Sequence, residues 1–429
     1  MSMASGGCPE DLSGKLASKP WFWGCRSYSC SQLDGETALV RGMGCEEPLH
    51  SLLYKSDLEP ESDASFLGSI LLRGGLPGLS VECKHGGFDV IEASLEWAGP
   101  RTSVVRARTR PLGDLSIKVY KRPPPADREW MMLDYLSSIS LPIIPRPLCR
   151  ALLSGSPYLI VTEYVNGVTA ATLFIDAAIN TLRYGRPIIP SIASSVGRAT
   201  AILHASMFKC SYDWCKPRRP SHGEISGWVE RLKKRSIISA SLSKNLAREE
   251  RKIVNEAAAA LKELSELVWP ALGEGLLVQT HGDLHLYQIY VTGDGRTVLT
   301  DFEGEPSRDP ASPMELEHPE RDLAAISRSI DYASIIAAQT SSGIDLWEAI
   351  DIARERLGGW VEESFKAVLD GYRDAISSSG LEDLEPSQDR VRFWLVERAS
   401  YELVYELRYR TGYHLIPATA LLHMQETLG

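Results

Sequence analysis

Polar and apolar positions change rhythm along the chain. From Trp21 to about Val119, short apolar runs are broken by Gly and Pro: Ala38–Val40, Ser69–Leu72, Phe88–Ile91, Ser103–Ala107 and Leu115–Tyr120. Runs of this length between turn formers predict strands. A helix is expected from about Ala126 to Ser138, where Trp130, Leu133 and Leu136 recur along one face. The run Tyr158–Val165, closed by Asn166-Gly167, predicts a strand ending in a turn. Beyond Ile175 the pattern is helical to the end, interrupted once by a strand–loop–strand unit at Leu276–Thr300. The expected fold class is α+β, with four segments: a flexible leader at 1–20, a β-rich cap at 21–100, a β-rich segment with its helix at 101–165, and a large α-rich part at 166–429. A β lobe followed by an α lobe suggests a cleft between them as the ligand site.

The 429 residues, 44% of them hydrophobic, suffice for two or three subdomains with cores of their own. The net charge of −10 argues against nucleic acid as a partner. Lys216–Arg219 and Lys233–Arg235 read as solvated helix flanks. No apolar run reaches the length of a membrane helix, and MSMASGGCPEDLSGK lacks the pattern of a signal peptide, so a cytoplasmic protein without a membrane partner is expected. The eight cysteines form no CxxC pair and no zinc spacing. Cys25 with Cys30, or Cys210 with Cys215, could be bridged, but without a secretory signal buried free thiols are expected.

The chemistry concentrates in two polar clusters, each led in by apolar residues: His281-Gly-Asp-Leu-His-Leu-Tyr-Gln288 after Gly275–Val278, and Asp301-Phe-Glu303 after Thr297–Thr300. Phosphoryl transfer needs one carboxylate to orient a hydroxyl and take its proton. It needs a second carboxylate, with an amide oxygen, to hold Mg²⁺ on a triphosphate. Asp283 can be the base, and Gln288 and Asp301 the metal ligands.

The spacing His281-x-Asp283-x-x-x-x-Gln288 resembles the HxDxxxxN catalytic loop of aminoglycoside phosphotransferases, with Gln in place of Asn, and Asp301-Phe-Glu resembles their DFG-type metal motif. The longer string HGDLHLYQ…DFEGEP is similar to maltokinases and the related glucosamine kinases. The resemblance spans about Trp21 to Leu422, densest at 281–334 and 391–417. It implies the bilobal protein kinase-like fold, with ATP and Mg²⁺ as cofactors, 101–165 as kinase N-lobe and hinge, and 166–429 as the C-lobe with catalytic loop and acceptor site.

Lys118, among apolar strand residues, then resembles the lysine that grips the α and β phosphates. Its ion-pair partner is sought among Asp127, Glu129 and Asp134. Glu129 is preferred, because at about 100° per residue it shares the Trp130–Leu133–Leu136 face. The loop Leu95–Ser103 loosely resembles a phosphate-covering loop, with Thr102 and Ser103 offering hydroxyls, and an ordinary hairpin is the competing reading. Trp21-Phe-Trp-Gly24 resembles the start of maltokinases and is read as core packing. Glu163-Tyr-Val165 takes the hinge position, where Glu163 and Val165 would contact adenine through the backbone. Asp322 is implied to brace the catalytic loop.

The helix expected at about Val391–Tyr409 carries Arg398, Glu402, Tyr405 and Tyr409 on one face and Val396, Leu403 and Leu407 on the other. A polar-aromatic face suits a sugar, so these four residues, with His285 of the loop, are assigned to the acceptor. The expected activity is transfer of the γ-phosphate of ATP to a hydroxyl of a small sugar such as maltose or glucosamine. The alternatives are a kinase of another hydroxyl substrate or a non-catalytic nucleotide-binding regulator. A protein substrate is disfavoured by the short, acidic, Pro-rich stretch from Gly304 to Pro319.

Overall fold

In the computed structural model the described residues run from Leu12 to Leu428, apart from 23–24, 34–36, 46, 55–56, 73–74, 85, 306–311 and 410–411. The chain divides into two compact units, Met1–Asn166 with Pro306–Pro313, and Gly167–Glu305 with Met314–Gly429.

The first unit opens with helix α1 (Leu12–Ala17) and a three-stranded antiparallel sheet of β1 (Ser27–Gln32), β2 (Thr37–Met43) and β3 (His50–Tyr54), in that order. Leu12 and Leu16, one helical turn apart, are buried with Trp21, Phe22, Val40 and Leu53. This corrects the expected loose leader from residue 12 onward: the segment's few apolar side chains share a face and find a core. Residues 1–11 lie outside the described residues. Trp21 and Phe22 pack in the core as expected, and Trp23 and Gly24 lie outside the described residues.

A second sheet of six strands has the order β4-β8-β9-β7-β6-β5. Its strands are β4 (Leu79–Cys83), β5 (Asp89–Ala98), β6 (Thr102–Arg110), β7 (Gly113–Tyr120), β8 (Pro147–Leu153) and β9 (Ser156–Glu163). Helix α2 (Arg128–Ser138) connects β7 to β8. The β5–β6 hairpin pairs Ala98 with Ser103, so the cap boundary expected at residue 100 falls inside a single sheet. Ser69–Leu72, expected as a strand, instead falls at the end of a short π-helix, Phe66–Leu71, that buries Phe66 and Leu67. An unbroken apolar run carries no alternation to separate strand from helix.

The second unit is mainly helical. A small antiparallel sheet joins β10 (Gly167–Thr169), β11 (Ile289–Thr292) and β12 (Thr297–Leu299). The helices are α3 (Ala170–Tyr184), α4 (Ala193–Phe208), α5 (His222–Leu242), α6 (Arg248–Glu266), α7 (Glu320–Ser342), α8 (Leu346–Ser378), α9 (Gln388–Tyr409) and α10 (Leu415–Leu428). The start of α5 is fixed by a capping box in which Ser221 and Glu224 satisfy each other's backbone N–H groups. Trp228, Leu261, Phe393, Trp394 and Leu403 share one core. Helices α4 and α8 touch backbone to backbone. A Cβ at Gly197 would fall 1.8 Å from the Val368 carbonyl oxygen, and one at Gly371 would fall 2.1 Å from that of Ser194. Among the described residues no helix is long and apolar enough to cross a membrane.

The expectation of free thiols is overturned. Cys25 is bonded to Cys45, Cys83 to Cys149 and Cys210 to Cys215. Strand register selects the first two pairs. Cys83 faces Cys149 directly across β4 and β8. Cys30 faces Val40 in the β1–β2 pair, and Cys25 and Cys45 continue that register just beyond it.

Candidate active site

In the second unit the first polar cluster is delivered by single bridges instead of the expected strand: Leu277 pairs with Arg218, and Val278 with Glu317. The chain then forms the loop His281–His285, a short 3-10 turn at Leu286–Gln288, and β11. The β11–β12 hairpin brings the second cluster alongside. The Gln288 carbonyl accepts the Thr300 N–H at 2.9 Å. Asp301 follows with a left-handed backbone, φ 70°, which is uncommon for a residue with a Cβ and occurs at ligand sites. The Gln288 amide donates to an Asp301 carboxylate oxygen at 2.5 Å. An amide and a carboxylate thus meet at one point, as assigned from the sequence. Among the described residues no group of three or more His, Cys, Asp or Glu is set to hold a metal. This donor set fits Mg²⁺, which takes one or two carboxylates and completes its octahedron with phosphate and water oxygens.

The loop is held from below by Asp322, in the first turn of α7. One carboxylate oxygen accepts the His281 N–H at 2.7 Å and the other the Gly282 N–H at 2.9 Å. His204 of α4 bonds Asp322 at 3.0 Å, and the Tyr372 hydroxyl of α8 bonds His204 at 3.0 Å. Burial alone would raise the Asp322 carboxyl. The His204 hydrogen bond, the His204 and His281 charges and the Gly282 N–H outweigh it and hold the group well below the usual carboxylate range. The sequence marked Asp322 as a brace, but the loop hangs from a three-helix chain of which His204 and Tyr372 gave no sign: a lone His on an apolar helix reads as core.

Asp283 stands on this loop with its side chain partly exposed. Arg398 of α9 donates from Nη1 to Asp283 Oδ1 at 2.6 Å and from Nε to Glu402 at 3.1 Å. Arg328 of α7 donates from Nε to the other Glu402 oxygen at 2.9 Å. Of the α9 face expected for the acceptor, Arg398 thus meets Asp283 and Glu402 stands behind Arg398, and Val396, Leu403 and Leu407 are buried on the opposite side. Tyr401, Tyr405 and Tyr409 follow one another with tilted rings, their centres 5.8 Å and 5.1 Å apart, and exposure rises to 57% at Tyr409. His285 lies between Asp283 and Gln288, its Nε2 3.5 Å from the Gln288 amide nitrogen. Burial lowers its imidazole below the ordinary value, with Asp283 pulling the other way.

A buried ion network that sequence reasoning missed fixes the chain beyond Asp301. Glu305 is paired with Arg321 and, at 3.1 Å, with Arg235. Arg321 also holds Glu317, and Arg235 holds Glu397 at 2.7 Å. Glu317 precedes α7 and bridges to Val278, so helical periodicity gave no signal for this pair. Of the stretch from Gly304 to Pro319, residues 306–311 lie outside the described residues.

In the first unit Lys118 of β7 donates to Glu129 of α2 at 2.8 Å, and the Tyr120 hydroxyl bonds the same oxygen at 2.6 Å. The rejected acids are engaged elsewhere: Asp127 with Arg150 at 2.6 Å, and Asp134 with Lys84. Thr102 and Ser103 differ from expectation. Both are buried strand residues, 6% and 2% exposed, so their hydroxyls are not displayed on a loop. The connection Gly99–Arg101 is a tight hairpin closed by a Gly99 N–H bond to the Thr102 carbonyl at 2.8 Å. Glu163 ends β9, and its N–H bonds the Arg146 carbonyl at 3.0 Å. Val165 lies two residues further on, outside any strand.

No family model matches the chain. A curated relative, glucosamine kinase of Mycolicibacterium smegmatis, is 24% identical over 265 residues, 60% of this chain and 59% of that protein. The match thus spans about three-fifths of the relative's own length. Among solved structures, glucosamine kinase in complex with glucosamine, ADP and inorganic phosphate is similar over 97% of this chain and 100% of the other, with a TM-score of 0.70 at 15% identity. Crystal form A of glucosamine kinase gives 0.67 at 16% identity, over 98% and 100% of the two chains. The chain therefore carries the fold of glucosamine kinase, with a β-rich first unit followed by a helical second one.

Proposed function

We propose that the protein is an ATP-dependent sugar kinase that transfers the γ-phosphate to a hydroxyl of a small sugar. The observation that carries this reading is the placement of Asp283, with one carboxylate oxygen taken by Arg398, on the loop that leads into Gln288, which meets Asp301 across the β11–β12 hairpin. Asp283 would accept the proton of the sugar hydroxyl as its oxygen bonds to the γ-phosphorus, and the bond from that phosphorus to ADP breaks. Gln288 and Asp301 would hold Mg²⁺, which when bound neutralises the charge of the phosphates. Lys118, kept in place by Glu129, would grip the α and β phosphates, and the backbone at Glu163–Val165 would meet adenine. Glu402, Tyr405 and Tyr409 would form the acceptor side, with His285 at its edge. Glucosamine leads the acceptors because it is the sugar named for the relative and for the neighbouring structure. Maltose and related sugars follow from the resemblance of the loop. An enzyme that consumes ATP is placed in the cytoplasm, and its disulfides would match those of cells that keep such bonds inside, hyperthermophiles among them.

The test is a panel of sugars with ATP and Mg²⁺, scored by ADP release over a control without acceptor. At least one sugar, glucosamine first, should raise ADP formation and gain a phosphate detectable by mass. ADP release that ignores every sugar would remove the reading.

Asp301→Ala should weaken Mg²⁺-dependent ATP binding by at least about tenfold, because the lost carboxylate leaves the metal under-coordinated. Calorimetric titration of ATP with and without Mg²⁺ measures this. An unchanged metal dependence would show that the DFE motif is not the metal site.

A further inference from the structure

We propose that Arg398 is a positioning residue that sets the orientation of Asp283, instead of a direct contact of the acceptor. The proposal rests on the kinase reading above. Arg398 is 8% exposed, and its guanidinium lies 5.1 Å from the Tyr401 ring centre. Nη1 meets Asp283 Oδ1 at 2.6 Å and Nε meets Glu402 Oε1 at 3.1 Å. Glu402 is gripped on its other oxygen by Arg328 at 2.9 Å, and Arg328 also pairs with Asp331.

Five side chains thus alternate in charge from α7 through α9 to the loop: Asp331, Arg328, Glu402, Arg398 and Asp283. A planar guanidinium lying over a ring and bonded at two of its nitrogens has little freedom, so the carboxylate it holds inherits its orientation. Asp283 Oδ2 takes no hydrogen bond from the described residues, and its side chain is 19% exposed. One oxygen is pinned and the other is left for a solute, which is the division of labour a general base requires. The acceptor would then meet Asp283 Oδ2 and the tyrosines of α9, with Arg398 behind the carboxylate.

Arg398→Lys keeps the charge and much of the stem, but its single nitrogen cannot reproduce the two-nitrogen bridge. Its kcat should fall about 100-fold, the scale set by an ångström of misplacement. The acceptor KM should change less than about threefold, and the ATP KM should not change. Arg398→Ala should lose kcat similarly and regain a saturable part of it with added guanidinium ion, a response that a purely structural role would not give. If Arg398→Ala does not fold, the lysine variant decides alone. A raised acceptor KM with unchanged kcat would assign Arg398 to the sugar and overturn the proposal. Full activity of the lysine variant, or a kcat above wild type, would overturn it as well. Failure of the kinase reading itself would appear separately, as wild-type protein that releases no ADP with any sugar.

Discussion

Asn in place of Asp283 should lower sugar-dependent ADP release by about a thousandfold while ATP affinity stays unchanged. The substitution preserves size and one acceptor oxygen for Arg398, and removes the ability to take a proton together with the charge that pairs with Arg398. Positioned acid–base groups contribute about 10²–10⁴-fold, so the expected loss is the middle of that range. The Gln288–Asp301 pair, proposed above to hold the metal, is untouched, which is why nucleotide binding should survive. Steady-state ADP release and a nucleotide titration on one preparation measure both. Near-normal turnover would strip Asp283 of its role. A fall in turnover that tracks a fall in melting temperature would make it a packing residue.

The second large effect is expected at Asp322, and it falls on stability as well as on activity. This carboxylate is fully buried, accepts two loop N–H groups and pairs with His204. Asn would offer one acceptor where two are used and leave His204 without a charged partner. Breaking a buried pair from one side costs about 3–5 kcal/mol, so Asp322→Asn should melt well below the wild type. The pH dependence is signed. The folded group lies below its ordinary value of 3.8, so its contribution is complete above about pH 4 and drains away as the pH falls further. The gap in melting temperature between wild type and Asp322→Asn should therefore be wide at pH 7 and begin to close below pH 4. A gap that stays constant in acid would mean that the carboxylate's charge is not its source.

How much of this was legible depended on whether local chemistry or distant packing decided the outcome. Glu129 was separable from Asp127 and Asp134 because helical phase alone tells which acid shares the buried face of α2. The same geometry gave the polar and apolar faces of α9. Asp283, Gln288 and Asp301 were legible because one loop and one hairpin bring them together. His204 and Tyr372 were not, because His204 meets Asp322, and Tyr372 meets His204, from helices far apart in sequence, and neither residue type announces such a contact. The cysteine pairs required strand register, which a count of spacings does not contain. Thr102 and Ser103 were misplaced because a hairpin tip and the first strand residues differ by one or two positions, the scale on which boundaries blur.

The backbone contact between α4 and α8 reaches further than packing. His204 lies on α4 two turns beyond Gly197, and Tyr372 follows Gly371 directly on α8. A methyl group at either glycine would collide with a carbonyl across the crossing and wedge the helices apart, drawing His204 away from Tyr372 and loosening the grip on Asp322. Two residues without side chains thereby come under the same selection as the carboxylates of the loop. A census of tolerated substitutions across the chain would mark Gly197 and Gly371 as sharply as Asp283, although neither could ever touch a substrate.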